Sequence, residues 1–146
     1  MVYYLSLGAN LGEREQTIRR ALQQIEQQVG PVLRCSSFFY SAPWGFESAN
    51  EFCNICCAVE SALQPVEVLH TTQAIENALG RTKKTVISNL QSPILNYTDR
   101  CIDIDIIRVF DRDEELFIDT PELTVPHRFW QQRDFVKLPL AEIMHS

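Results

Sequence analysis

The sequence lacks any apolar run of the length that crosses a bilayer, which is about 20 residues for a helix. Its first residues, Met1 to Leu7, also lack the basic start and the long apolar centre of a secretory signal. We therefore expect a cytoplasmic protein that makes no use of a membrane.

Basic residues are in deficit. The 13 Lys and Arg face 19 Asp and Glu, for a net charge of −6. A general nucleic-acid binder usually has a basic excess, so the composition disfavours that class. The cations that stand out lie in the second half of the chain: Arg81, Lys83, Lys84, Arg100, Arg128 and Arg133. A local basic cluster on an acidic protein suits a small polyanion better than a duplex.

A second cysteine pair is missing as well. Cys53 and Cys56 have the CxxC spacing, but a zinc site usually needs another pair of ligands at a distance. A redox CxxC normally opens a helix, whereas this one lies inside an apolar run from Phe52 to Val59. Free cysteine is among the most buried residue types, so we expect small core residues here.

What the sequence does contain fits one folded domain. Its 146 residues, 45% of them apolar, can bury a core, and they show no internal repeat, low-complexity tract or linker. We therefore predict a single domain over residues 1–146.

Apolar periodicity predicts the order of elements. Strands are expected over 2–8, 32–41, 52–61 and 101–110, with a short one at 116–118. Helices are expected up to Val29, from Pro65 to a stop at Gly80, and briefly near 139–143. Residues 81–99 show no clear period and are predicted to be a long loop. The order βαββαβ predicts an α+β, ferredoxin-like core: an antiparallel sheet with helices on one face, plus a C-terminal extension. This topology hosts many functions and selects none.

The most informative segment alternates apolar and acidic residues. Strand alternation would turn Ile102, Ile104 and Ile106 to a core, and Asp103 and Asp105 to the opposite face, with their Cα atoms about 7 Å apart. Two such carboxylates can hold Mg²⁺, which prefers oxygen ligands and often bridges protein to phosphate. Arg100 just before them suits phosphate. The alternative is a strand with a solvated acidic face.

Other polar residues have ordinary explanations when each is taken singly. Gln73 and Glu76 lie one turn apart near the end of the second predicted helix and fit a solvated helix face. His127 after Pro126 fits a capped turn, and Arg133 fits a surface charge.

In chain order, however, these segments resemble one family. Residues 5–12, LSLGANLG, resemble the family's opening SLGSNLG. Phe52-Cys53-Asn54 matches an element in which an aromatic residue stands two positions before Asn. Residues 75–81 match its IE…LGR helix end, and 99–105 resemble PRTLDLD. Residues 124–127, TVPH, and 133–140, RDFVKLPL, match its C-terminal signature. The family is 6-hydroxymethyl-7,8-dihydropterin pyrophosphokinase, a folate-pathway enzyme.

The resemblance implies a reaction: ATP donates its β,γ-pyrophosphate to the pterin hydroxymethyl group, and AMP leaves. It implies ATP as co-substrate and two Mg²⁺ ions on Asp103 and Asp105. The residues that it places around the phosphates as catalytic groups are Arg100, Asp103, Asp105, His127 and Arg133. Those expected on the nucleotide side are Gln73, Glu76, Lys83, Tyr97, Ile106, Thr124 and Arg128. Those expected around the pterin are Ser41, Pro43, Trp44, Gly45, Phe52, Asn54 and Phe135.

The chain departs from the family pattern in four places. The loop before Arg100 is longer, and Tyr97-Thr98-Asp99-Arg100 replaces Trp-Gly-Pro-Arg. Arg128 stands where an aromatic residue is common, and Phe52 stands where a Tyr stacks on the pterin. These changes leave open whether Tyr97 and Arg128 contact ATP.

The sequence is also compatible with two other functions. One is a non-catalytic ferredoxin-like module that binds a small ligand or regulates. The other is a single-strand RNA binder, disfavoured by net charge and by the lack of an RNP-like run. We expect a monomer, with a dimer as the alternative.

Overall fold

The computed structural model describes residues 1–41, 51–88 and 102–144, with only the backbone for 81–88. The strands are β1 (Val2–Ala9), β2 (Val32–Cys35), β3 (Phe39–Ser41), β4 (Phe52–Glu60), β5 (Asp103–Asp111), β6 (Glu114–Glu115), β7 (Ile118–Asp119) and β8 (Thr124–Val125). The helices are α1 (Arg14–Gln28), α2 (Pro65–Ser88) and α3 (Asp134–Met144), and a single 3-10 turn spans Trp130–Gln132.

The main sheet is antiparallel, with the order β2-β4-β1-β5-β6, and β3 extends it along β4. The strands β7 and β8 form a separate two-stranded pair. The predicted α+β class with an antiparallel sheet is confirmed.

One face of the sheet packs against α1 and α2. Alternate residues of β1, Tyr3, Leu5 and Leu7, are fully buried on this face. The helices contribute Ile18 and Ile25 from α1, and α2 packs its own apolar stripe beside them. The predicted core residues Ile102, Ile104 and Ile106 of the acidic strand also belong to this cluster. Strand alternation therefore turns the residues between them to the other face.

The opposite face, which we call the far face, is divided in two. At one end, Val136, Leu140 and Ile143 of α3 pack on Tyr4 and Cys56 and their neighbours. At the other end, Ser6 and Gly8 of the central strand lie in the floor of a pocket. The helix α3 thus covers one end of the far face, and the pocket lies at the other end.

The C-terminal end of α3 is held by polar contacts to the edge of the sheet. The Arg34 guanidinium donates to the Ile143 carbonyl at 3.0 Å. The Glu142 carboxylate accepts from the Ser37 backbone N–H at 3.0 Å and from its hydroxyl at 2.8 Å. These contacts fix where the helix lies across the sheet.

Several predicted boundaries were wrong. The strand predicted over 32–41 is two strands, because the Ser36 hydroxyl accepts from the Cys56 N–H and interrupts the ladder. The second helix does not stop at Gly80 but reaches Ser88, so residues 81–88 are not loop. A glycine inside a helix costs only about 1 kcal/mol, and no proline follows it there. The C-terminal helix begins at Asp134, a turn earlier than expected.

The CxxC prediction is confirmed. Cys53, Cys56 and Cys57 are all fully buried. Cys53 faces the α1 and α2 side whereas Cys56 faces α3, so the two thiols point away from each other. Burial raises the pKa of Cys56 to about 12. Neither a shared metal nor an active-site disulfide fits this arrangement.

Within residues 1–41, 51–88 and 102–144, no helix combines the length and apolar character that a bilayer crossing requires.

Candidate active site

Among the described residues, the end of the far face away from α3's apolar contacts forms a pocket of about 180 Å³. It is lined by Ser6, Gly8, Ser41, Phe52, Asn54, Asp103, Asp105, Arg133 and Phe135. Seven of these nine residues were predicted as site residues; the other two are Ser6 and Gly8.

Strand register explains why these residues meet. Gly8 of the central strand β1 pairs with Asn54 of β4 on one side and with Asp103 of β5 on the other. Two residues earlier, Ser6 pairs with Asp105. Directly opposite residues point to the same face of a sheet. An amide and two carboxylates therefore stand on either side of a floor made of small residues.

Glu76 joins the acidic side from helix α2. Its Oε2 accepts a hydrogen bond from the Ile104 backbone N–H at 2.6 Å. Burial raises the pKa of Glu76 to about 8, and the charges of Asp103 and Asp105 add to the rise, against the stabilising Ile104 N–H. The carboxylates of Glu76, Asp103 and Asp105 thus lie close enough to influence one another's charge. Carboxylate oxygens are the ligands that Mg²⁺ prefers, which makes Asp103 and Asp105 the candidate metal ligands. Among the described residues, no group of three or more His, Cys, Asp or Glu side chains is arranged to hold one metal ion.

His127 lies beside the acidic side, on the segment after β8. Its backbone N–H donates to the Ile107 carbonyl at 2.7 Å, which holds the segment against the edge of β5. Its Nδ1 accepts from the Phe129 N–H at 3.3 Å, so in the neutral ring the proton is on Nε2. Burial, followed by the charge of Arg133, lowers the pKa of His127. The side chain is suited to act as a neutral hydrogen-bond donor.

Arg133 and Phe135 enter the pocket from the start of α3. The Arg133 guanidinium carbon lies 5.8 Å from the Phe129 ring centre and 5.9 Å from that of Phe135. Contact with aromatic faces holds a guanidinium by cation–π attraction. A planar cation is thereby placed between the acidic and the aromatic parts of the pocket.

Asn54 occupies the aromatic side. It is 3% exposed, and its Nδ2 donates to the Ser41 hydroxyl at 3.4 Å. Phe52 and Phe135 line the pocket with it. Two aromatic rings and a carboxamide are a suitable set for a flat heterocycle with an amide-like edge.

The remaining predicted nucleotide-side residues lie outside the lining of this pocket. Gln73 and Arg128 are exposed, and Thr124 is half-buried in β8. The side chain of Ile106 is in the core. Its backbone, two residues from Ile104, faces the same outer edge of β5, where a base could be hydrogen-bonded.

Five predicted residues cannot be placed. Pro43, Trp44, Gly45, Tyr97 and Arg100 lie outside the described residues. The side chain of Lys83 is also outside them, although its backbone is helical.

The sequence predicted a strand that ends at Gly8 and did not identify Ser6 and Gly8 as pocket residues. In the structure Gly8 is inside β1, which runs on to Ala9. The available signal was the alternation of small residues, Ser6 and Gly8, with large apolar ones along that strand.

Arg108 was not predicted either. The Arg108 guanidinium makes two hydrogen bonds to Glu115, at 2.8 and 2.7 Å. Its carbon lies 5.1 Å from the Phe110 ring centre and 5.3 Å from that of Trp130. Arg108 therefore anchors the 3-10 turn that separates His127 from Arg133.

Comparison with known proteins gives concordant matches. The model of a family described as 7,8-dihydro-6-hydroxymethylpterin-pyrophosphokinase matches residues 4–145. A Porphyromonas gingivalis protein named 2-amino-4-hydroxy-6-hydroxymethyldihydropteridine pyrophosphokinase is 42% identical over 144 residues, covering 97% of this chain and 90% of the relative. A Bacillus subtilis protein of the same name is 36% identical over 143 residues, covering 97% and 77%.

Longer proteins contain a similar segment. Dictyostelium discoideum folic acid synthesis protein FOL1 is 34% identical over 143 residues, which are 97% of this chain but 19% of that protein. A crystal structure titled as HPPK-DHPS in complex with substrates superposes with a TM-score of 0.65 at 15% identity, covering 98% of this chain and 40% of the other. At that identity the superposition supports the fold alone.

Proposed function

This chain belongs to the 7,8-dihydro-6-hydroxymethylpterin-pyrophosphokinase family of folate biosynthesis, and we propose that its far-face pocket carries out the transfer with Mg²⁺. ATP would donate its β,γ-pyrophosphate to the hydroxymethyl oxygen of 6-hydroxymethyl-7,8-dihydropterin, and AMP would leave. We take residues 1–146 as one pyrophosphokinase domain.

One observation supports this proposal above the others: Asn54, Gly8 and Asp103 lie in one cross-strand row. A group suited to the pterin edge and a group suited to a metal–phosphate complex therefore stand on either side of a single residue. A bisubstrate enzyme that transfers without a covalent intermediate needs this proximity, since positioning contributes much of its rate.

On the pterin side, the ring would stack between Phe52 and Phe135, and Asn54 would hydrogen-bond its amide-like edge. Ser41 orients the Asn54 carboxamide through its hydroxyl. Such stacking tolerates the exchange of Tyr for Phe at position 52, because the ring face and not the hydroxyl makes the contact.

On the phosphate side, Asp103 and Asp105 would hold Mg²⁺, with Glu76 next to them. The ions would neutralise the triphosphate and polarise the phosphorus that is attacked. Arg133 would pair with phosphate oxygens through its planar fork. His127 would donate a hydrogen bond from its Nε2–H to an oxygen whose negative charge grows in the transition state.

The nucleotide would extend along the outer edge of β5. There the backbone of Ile106 would hydrogen-bond adenine, and we keep Gln73, Thr124 and Arg128 as nucleotide contacts. We keep Lys83, Tyr97 and Arg100 as nucleotide or phosphate ligands, and residues 43–45 as a wall of the pterin site, on the strength of the family resemblance.

The test is AMP formation from ATP, which should require both Mg²⁺ and the reduced hydroxymethylpterin. Asp103→Asn and Asp105→Asn should each lose nearly all turnover while keeping the fold, because each removes a charged oxygen ligand. Asp111→Asn is the matched control: it makes the same change on the same strand, at an exposed position away from the pocket. Near-native activity of either pocket variant at ordinary Mg²⁺ would refute the metal assignment.

The same assay addresses the rival function. A non-catalytic ferredoxin-like module that binds a small ligand or regulates would release no AMP, whether or not calorimetry shows that it binds the pterin. We propose a monomer as the active unit, with a dimer as the alternative, in the cytoplasm.

A further inference from the structure

The glycine in the pocket floor has no backbone reason to be a glycine. Gly8 lies inside β1 and pairs on both sides. Among the glycines of residues 1–41 and 51–88, those with positive φ are Gly12 and Gly30, whereas Gly8 has ordinary extended backbone. Glycine in a strand interior weakens the strand, and a close approach of other atoms is one of its usual causes.

The atom that approaches is the side-chain oxygen of Asn54. A Cβ built on Gly8 would lie 2.5 Å from Asn54 Oδ1, whereas real Cβ atoms essentially never come closer than 3.0 Å. For ordinary contact at 3.4 Å, that oxygen would have to retreat by about 0.9 Å. No described backbone atom comes as close, since the nearest, the Cys53 carbonyl oxygen, is 3.9 Å away.

The carboxamide has few places to retreat to. Asn54 is nearly fully buried, with its Nδ2 directed at Ser41. Its other neighbour across the sheet is Phe39 of β3, so the row across the far face is Phe39, Asn54, Gly8, Asp103. A displaced carboxamide must press towards β3 or rise into the pocket, and either movement changes the surface presented to a ligand.

We infer that Gly8 is a specificity-determining positioning residue, whose missing side chain lets the Asn54 carboxamide lie across β1 in the orientation that recognises the pterin edge. This inference rests on the proposed function for the identity of the ligand. It adds a residue that would not touch the reacting atoms and acts through Asn54.

The test is a double-mutant cycle between Gly8→Ala and Asn54→Ala, read as KM for the pterin and KM for ATP. Gly8→Ala should raise the pterin KM about tenfold, matching the loss of one or two hydrogen bonds, and leave the ATP KM within about twofold. In the Asn54→Ala background the added methyl group has room, so Gly8→Ala should have no further effect. A full tenfold effect in that background would overturn the inference.

A second readout needs no substrate. The side-chain NH₂ signals of Asn54, identified by their loss in Asn54→Ala, should shift in Gly8→Ala more than any other side-chain amide signals. Unchanged Asn54 signals in a folded Gly8→Ala protein would refute the positioning role. If the native chain makes no AMP but these signals shift, the proposed function fails and the positioning role stands.

The folding of the variants is informative as well. If Gly8→Ala does not fold alone but the double variant does, the methyl group collides with Asn54 as inferred. If neither folds while Asn54→Ala does, Gly8 is required for another reason, and the inference is wrong.

Discussion

Glu76 offers the sharpest test of the electrostatics of the site. Its pKa is raised from 4.5 to about 8, first by burial and then by the two neighbouring aspartates. A carboxyl group with a raised pKa stabilises the folded state at low pH, and that contribution disappears as pH rises through the folded-state value. Without metal, the unfolding free energy should therefore fall between about pH 4.5 and 8.

The change Glu76→Gln removes the free-energy cost of holding a charged carboxylate at this partly buried position above about pH 8. The glutamine oxygen can still accept from the Ile104 N–H but carries no charge at any pH. The full pKa shift would correspond to about 5 kcal/mol. Because Glu76 is only partly buried and solvent screens it, we expect about 2 kcal/mol. The unfolding free energy of Glu76→Gln minus that of the native chain should therefore rise by about 2 kcal/mol from pH 5 to pH 9.

The assay is urea unfolding at both pH values with a chelator present, so that no cation neutralises the cluster. Glu60→Gln, which removes an exposed carboxylate at the far end of β4, controls for the loss of one negative charge. Parallel pH dependence of the native chain and Glu76→Gln would show that burial and the two aspartates do not raise the pKa of Glu76 as the structure indicates.

Three further outcomes are expected. Phe135→Ala should weaken pterin binding by about 1–3 kcal/mol and ATP binding less, and equal losses in calorimetry would point to general destabilisation instead. Arg133→Ala should lower kcat, with a loss of transition-state stabilisation of up to about 3–4 kcal/mol. Arg133→Lys should restore only part of kcat, since lysine lacks the planar guanidinium that can make two parallel hydrogen bonds. Full recovery of kcat in Arg133→Lys would mean that a positive charge alone suffices. In an NMR titration His127 should have its midpoint below pH 6.5, because burial disfavours its charged form. The contribution of neutral His127 to the unfolding free energy is therefore present above pH 6.5 and is lost as pH falls through the folded-state pKa. A midpoint above pH 6.5 would contradict its role as a neutral hydrogen-bond donor.

Local periodicity was sufficient for much of the fold and for the chemistry of the site. The alternation around Asp103 and Asp105 predicted a strand with a buried apolar face and two carboxylates opposite, because side chains in a strand alternate regardless of what surrounds it. Apolar periodicity similarly predicted a helix that ends near Val29, and Ile18 and Ile25 of α1 are buried. The ordered motifs along the chain pointed to the family to which it belongs.

Other features arise only when distant segments pack together. The break after Cys35 went against the local signal, because the Ser36 hydroxyl accepts from the Cys56 N–H of the neighbouring strand and interrupts the ladder there. The division of the far face depends on where α3 lies, which contacts such as Glu142 to Ser37 set over 105 residues of chain.

The properties that give the pocket its chemistry are also tertiary. The pKa of Glu76 depends on its burial against β5 and on charges 27 and 29 residues away in the chain, and the need for glycine at position 8 depends on an oxygen of Asn54 in the next strand. A sequence specifies which groups are present and which face of its own element each occupies. The distances between groups on different elements, which determine both Coulomb energies and steric contacts, exist only once the sheet register and the helix packing are established.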